Sequence, residues 1–208
     1  MYKICRHLPV FFGIFLCVIS ANANQCLSYK IKPKIIINTP NYNKRVESSI
    51  TPMNLLHGDV VATLTTYYDI VTDIVPVSNG YCIAVKEIDA VIGYTDFRVQ
   101  IDGRHEKNSC SYNAILAHEN RHIDAYLKVI DEYKNELHNS LYAAANSMLP
   151  VFVKNENDIN NTIEELNNEL QSHPDMVLVL QKIHADEEIE NKNIDIMEDY
   201  SEIKKCVE

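Results

Sequence analysis

Two hydrophobic periodicities divide the chain. From about Tyr29 to Asp102 the apolar residues alternate with polar ones or gather in short β-branched runs, Ile31 to Asn38, Val60 to Val71 and Tyr81 to Ile101, the last interrupted at Gly93. Turn signals at Thr39-Pro40-Asn41, His57-Gly58-Asp59 and Ser78-Asn79-Gly80 separate these runs. This half predicts three to five strands, with room for a short helix near Ser48 to Leu56. It also places Val91 to Tyr94 and Phe97 to Ile101 as partners in one sheet. After Cys110 the step lengthens, and Ile115, Leu116, Ile123, Leu127, Ile130, Leu137 and Leu141 recur at three- and four-residue intervals. With Ser111 as cap and Pro150 as stop, this pattern predicts a helix of about 37 residues, roughly 55 Å, long enough to bend or break once. A second helix is expected over Asp158 to Gln171, interrupted by Pro174, and a third from about Asp175 to Lys205. No repeat or low-complexity linker marks a domain boundary.

The first residues change the picture of where the chain works. Lys3 and Arg6 precede the apolar stretch Leu8 to Ile19, which leads into Ala21-Asn22-Ala23. A positive start, a short apolar core and an A-x-A site are the pattern of a cleaved export signal, residues 1–23, with the mature chain starting near Asn24. The apolar run is shorter than the ~20 residues a membrane span needs, and the best later run, Met176 to Leu180, is bounded by Pro174 and Lys182. The formal charge of −10 becomes −12 once Lys3 and Arg6 leave, and no basic cluster relieves it. Such a chain is poorly suited to holding nucleic acid or an anionic membrane surface by charge. Four of the six cysteines, Cys26, Cys82, Cys110 and Cys206, remain in the mature chain. In an exported protein they predict two disulfides, in any of three connectivities. No C-x-x-C pair suggests a structural zinc knuckle.

Candidate chemistry sits early in the long helical pattern, at His118-Glu119-Asn120-Arg121-His122. Residues four apart on an α-helix differ by about 40° and 6 Å, so both imidazoles leave one face and can share one Zn²⁺. Glu119 lies about 100° round, beside the ion, where a general base takes a proton from water that zinc has acidified toward pKa ~7. A random ordering of this composition would contain the pattern only about 0.02 times, so it is the specific signal in the chain. The longer metzincin pattern is absent, because Ala125 and Lys128 stand at its glycine and third histidine. Glu136 and His138 are about 21 Å or more further along the same helix and cannot reach the ion. An antiparallel neighbour can, which leaves His184, Glu187, Glu188, Glu190, Asp195 and Glu198 of the last helix open as the third ligand. Asp124 falls on the far side of the helix from His122, Arg121 is expected in solvent, and Tyr126 shares the His122 face as a core residue that could border a cleft. His57 and His105 lie in loop signals with no recommending spacing.

The run His118-Glu119-Asn-Arg-His122-Ile123-Asp124 resembles bacterial families described as secreted zinc-dependent proteases, a domain-of-unknown-function group. Ser109-Cys110 before the helix and Ile194-Asp195-Ile-Met-Glu-Asp-Tyr200 with Cys206 resemble them too, although Leu127 replaces the usual Glu. The resemblance implies His118 and His122 as zinc ligands, Glu119 as base, and Asp195 as the favoured third ligand. The expectation is therefore one α+β, zincin-like domain over residues 24–208. It has a small N-terminal antiparallel sheet, with mainly strands over 24–110. The active-site helix and one or two further helices follow over 111–208. Its function would be that of an exported, periplasmic or secreted, zinc metallopeptidase acting on peptide or protein. The alternatives are a non-catalytic envelope protein with a vestigial or structural metal site, and a disulfide-stapled scaffold without metal.

Overall fold

The computed structural model describes residues 25–49, 57–198 and 204–206. The expected leader and most of the helix expected near Ser48 to Leu56 lie outside them, while Ser48 and Ser49 belong to a strand. Five strands form one sheet: β1 (Lys34–Asn38), β2 (Asn43–Ser49), β3 (Gly58–Val77), β4 (Gly80–Asp102) and β5 (Val151–Val153). The hairpin of β3 and β4 is its long axis. β1 and β2 pair with β4 in parallel, and β5 pairs antiparallel with the start of β4. Among the described residues β3 has β4 as its one strand partner, so β3 is an edge of the sheet.

This arrangement overturns the expected small antiparallel N-terminal sheet and with it the α+β class. The protein has an α/β fold built on a long central sheet with two parallel pairings, and one of its strands arrives from the helical half. Val91 to Tyr94 and Phe97 to Ile101 are not partners but consecutive stretches of β4. The cause is a β-bulge. Thr63 pairs with Asp96 and Leu64 with Tyr94, which leaves Thr95 without an opposite residue. One extra residue reverses which side chains face inward. Ile88, Ala90, Ile92 and Tyr94 are buried before the bulge, and Phe97, Val99 and Ile101 after it. Gly93 does not end the strand either; it lets the chain before β2 approach, since a Cβ there would lie 2.8 Å from Pro40 Cδ.

Among the described residues there are four α-helices: α1 (Cys110–Glu132), α2 (Lys134–Ser147), α3 (Ile159–Gln171) and α4 (Pro174–Glu198). The expected long helix is thus two, divided at Tyr133. Its cap is Ser109, whose Oγ accepts from the Tyr112 N–H at 3.2 Å, rather than Ser111. α1 packs on β3 and β4, α2 on β1, and α3 on β3. α4 lies outside α1 and α2 and runs antiparallel to them, as its contacts show in order: Lys182 with Glu136 at 2.5 Å, Tyr133 with Asp186 at 2.7 Å, and Lys128 with Glu190 at 3.0 Å. Disulfides join Cys26 to Cys82 and Cys110 to Cys206, selecting one of the three connectivities and fitting an oxidising compartment. Among the described residues no helix is long and apolar enough to cross a membrane.

Candidate metal centre

The N-terminal half of α1 turns His118, Glu119 and His122 toward the interior, where they are 3%, 2% and 9% exposed. Asp195, near the end of α4, meets them. His118 Nε2 and His122 Nε2 are 3.1 Å apart, and Asp195 Oδ1 stands 3.3 Å from the first and 3.2 Å from the second. Three ligand atoms held tetrahedrally at about 2.0–2.1 Å from one zinc ion would be about 3.3 Å from each other. The donor set of two imidazoles and a carboxylate therefore fits one cation, and these three residues form a group able to hold a metal ion.

Hydrogen bonds around the triangle orient it. Asn191 Nδ2 donates to the Glu187 carbonyl oxygen at 2.7 Å, which fixes the amide, so Asn191 Oδ1 accepts from His122 Nδ1–H at 2.7 Å. That bond places the proton on Nδ1 and leaves the Nε2 lone pair for the ion. Arg121 Nη2 lies 3.3 Å from His118 Nδ1. A guanidinium only donates, so this contact suits a His118 protonated on Nε2, and taking up a cation requires the other tautomer with Arg121 turned aside. Burial holds the His118 pKa below its ordinary value, His122 adds to the effect and Asp195 opposes it.

Glu119 projects under the start of β3. A Cβ on Gly58 would fall 2.3 Å from Glu119 Oε1 and 2.8 Å from Ile115 Cγ2, so only a glycine lets the strand pass this close to the carboxylate. Glu119, His122 and Asp195 open on a cleft of about 230 Å³ beside Gly58, Asp59 and Val60. A larger cleft of about 540 Å³ adjoins it, sharing Tyr126, Asn191 and Asp195, with Ala62 and Leu64 of β3 on one side and α4 on the other. Its buried carboxylate, Glu187, accepts from the Tyr94 hydroxyl and lies 3.1 Å from His184 Nδ1. Burial first, then Glu187, pushes the Tyr94 pKa far up; burial, then Glu187 and Asp59, raises that of Tyr126. Both phenols stay protonated.

Of the residues left open as third ligand, Asp195 is the one brought to the imidazoles. His184, Glu187 and Glu188 line the larger cleft, Glu190 pairs with Lys128, and the Glu198 side chain lies outside those described. Asp124 is exposed on the opposite side of α1. Tyr126 lines both clefts while packing on Tyr94 and Phe97. Arg121 is not in open solvent but against His118, and His57 meets His105 at 3.1 Å. Asn191 carries no expectation in the sequence, and Gly58 figures there only in a turn signal. For Asn191 a signal existed, because it precedes Asp195 by four positions and so mirrors the His118–His122 spacing on an antiparallel neighbour. Comparison of the chain with protein-family models, curated proteins and solved structures finds no match.

Proposed function

We propose that the protein is an exported zinc-dependent hydrolase, a metallopeptidase, with His118, His122 and Asp195 holding zinc and Glu119 as general base. The observation that carries this reading is the triangle of ligand atoms at tetrahedral spacing, with Glu119 opening on the same cleft. Two imidazoles and one carboxylate on a four-coordinate ion leave a position open for reaction, the ligand count of catalytic rather than closed zinc sites. Zinc held there supplies Lewis acidity, polarising a carbonyl and lowering the pKa of water. The Glu119 carboxylate takes a proton from the attacking water and delivers it to the leaving nitrogen. Gly58 keeps that carboxylate against the strand, and Asn191 keeps His122 aimed.

A peptide substrate suits the surroundings. The outer edge of β3 runs past both clefts, and an extended chain added there would form main-chain hydrogen bonds while its alternate side chains enter the clefts. The acidic charge gives no reason to invoke nucleic acid, and the leader pattern together with the two disulfides supports a periplasmic or secreted location.

The test is Glu119→Gln in purified mature protein, read by metal content and by turnover of an unstructured protein substrate. Near one equivalent of zinc in both proteins, with turnover down by about 10²–10⁴-fold in the variant, is the expected pair of results. Equal turnover, or less than about a tenth of an equivalent of zinc in the parent protein, would end the assignment.

A further inference from the structure

The stretch of helix that carries Asp195 is the least anchored part of the helical layer. α4 buries Met176, Val179, Ile183 and Glu187. From Glu188 to Ile196 none of its residues is buried, and Ile189 and Ile196 are 57% and 68% exposed. What holds this stretch to α1 is polar: Glu190 with Lys128, Asn191 with His122, and Asp195 with the two imidazoles. Exposed ion pairs secure a helix weakly, and Asp195 itself has a side chain 59% exposed. The firm tie is covalent. Cys206, in the chain beyond Asp195, is bonded to Cys110, the first residue of α1. Read in order along α1 and α2, the partners 110–206, 118–195, 122–191, 128–190, 133–186 and 136–182 form one antiparallel ladder, closed at the metal end by the disulfide.

We propose that the Cys110–Cys206 disulfide positions Asp195 for the metal, so that metal occupancy and the integrity of this one disulfide stabilise each other. This rests on the metal site of the proposed function but not on its hydrolytic activity. The physical basis is linkage. Opening the bond frees the end of α4, the third ligand must then be ordered at the moment of binding, and affinity falls; reciprocally, a bound ion favours the oxidised form, in which the third ligand is already in place.

The test uses the full mature protein and cobalt(II) as a spectroscopic probe. Replacing Cys110 and Cys206 together by serine weakens cobalt binding by on the order of ten- to a hundredfold and raises amide exchange over residues 188–196. Replacing Cys26 and Cys82 together lowers thermal stability but leaves affinity and that exchange unchanged, which separates positioning from general stabilisation. A second measurement needs no variant. In a glutathione buffer the disulfide exchanges with two glutathione thiols, giving two protein thiols and oxidised glutathione. At fixed free zinc this equilibrium should shift several-fold toward the disulfide at Cys110–Cys206 and not at Cys26–Cys82. Equal cobalt affinity with and without the Cys110–Cys206 bond, or a thiol–disulfide equilibrium indifferent to zinc, overturns the proposal even if the protein cleaves peptides. Linked metal and disulfide in a protein that cleaves nothing removes the hydrolase reading and leaves this one standing. An oxidised parent protein that binds no cobalt removes both.

Discussion

Gly58 and Asn191 contact residues of the candidate centre without supplying a ligand atom, and each makes a sharp test of it. Gly58→Ala puts a methyl group 2.3 Å from Glu119 Oε1, so the carboxylate must move. Displacing a reacting group by about 1 Å is enough for a loss of about 10² in turnover, and overpacking of this kind costs about 1–3 kcal/mol of stability. Metal content should stay near that of the parent protein, which titration and a thermal melt on the same sample will show. Asn191→Leu instead removes the acceptor from a buried His122 N–H, and metal affinity should fall by about 10–100-fold, while Asn191→Asp, which keeps an acceptor, should largely preserve it. The His118, Glu119 and His122 arrangement was legible in the sequence because one helix carries it and helical geometry alone sets its spacing. Helical geometry leaves Asp195 as one of six candidates on a helix expected to lie antiparallel, and the family resemblance alone favours it among them. Gly58 was not legible, since its role depends on how closely a strand crosses a helix, and no local pattern encodes that distance.

At the scale of elements, the lesson lies in β4. Its alternation is broken at Thr95, and a break in period two reads in sequence as the end of a strand. The bulge makes it a change of phase inside one strand, which is why a single long hairpin looks in sequence like several shorter strands. β5, three residues long, gives no periodic signal at all. The length of the helical pattern announces one break but not its place, because Tyr133 is neither proline nor glycine; its hydroxyl donates to Asp186 on α4. The loop leading into α1 carries a further prediction. His105 Nδ1 is 3.1 Å from Ser111 Oγ, and burial, then the nearby His57, lowers the His105 pKa below 6.5. Below its ordinary pKa the unfolded chain takes up the proton before the folded one does. The contribution is therefore complete above about pH 6.5 and lost as pH falls through that value toward the folded pKa. Melting temperatures recorded at about pH 7.5 and about pH 5.5 should fall less in His105→Gln than in the parent protein.

For the molecule as a whole, the two disulfides divide the work of stabilisation. Cys26–Cys82 fastens the segment before β1 to the start of the central strand and closes a loop with a sequence separation of 56. Loop-closure entropy makes that worth about 4 kcal/mol, so replacing both cysteines by serine should lower the melting temperature by roughly 10 °C. A melt unchanged within about 2 °C would show that the denatured chain is already constrained there. The other bond belongs to the ladder between α1, α2 and α4, and that ladder also governs when a site can exist during folding. His118 and Asp195 are 77 positions apart, with α2, β5 and α3 between them. A zinc finger gathers its ligands from neighbouring turns and can be nucleated by its ion. Here the ion has nothing complete to bind until the sheet is covered and the last helix has docked, so it should be acquired late, by a nearly finished protein, and stripping it should leave most of the tertiary structure in place.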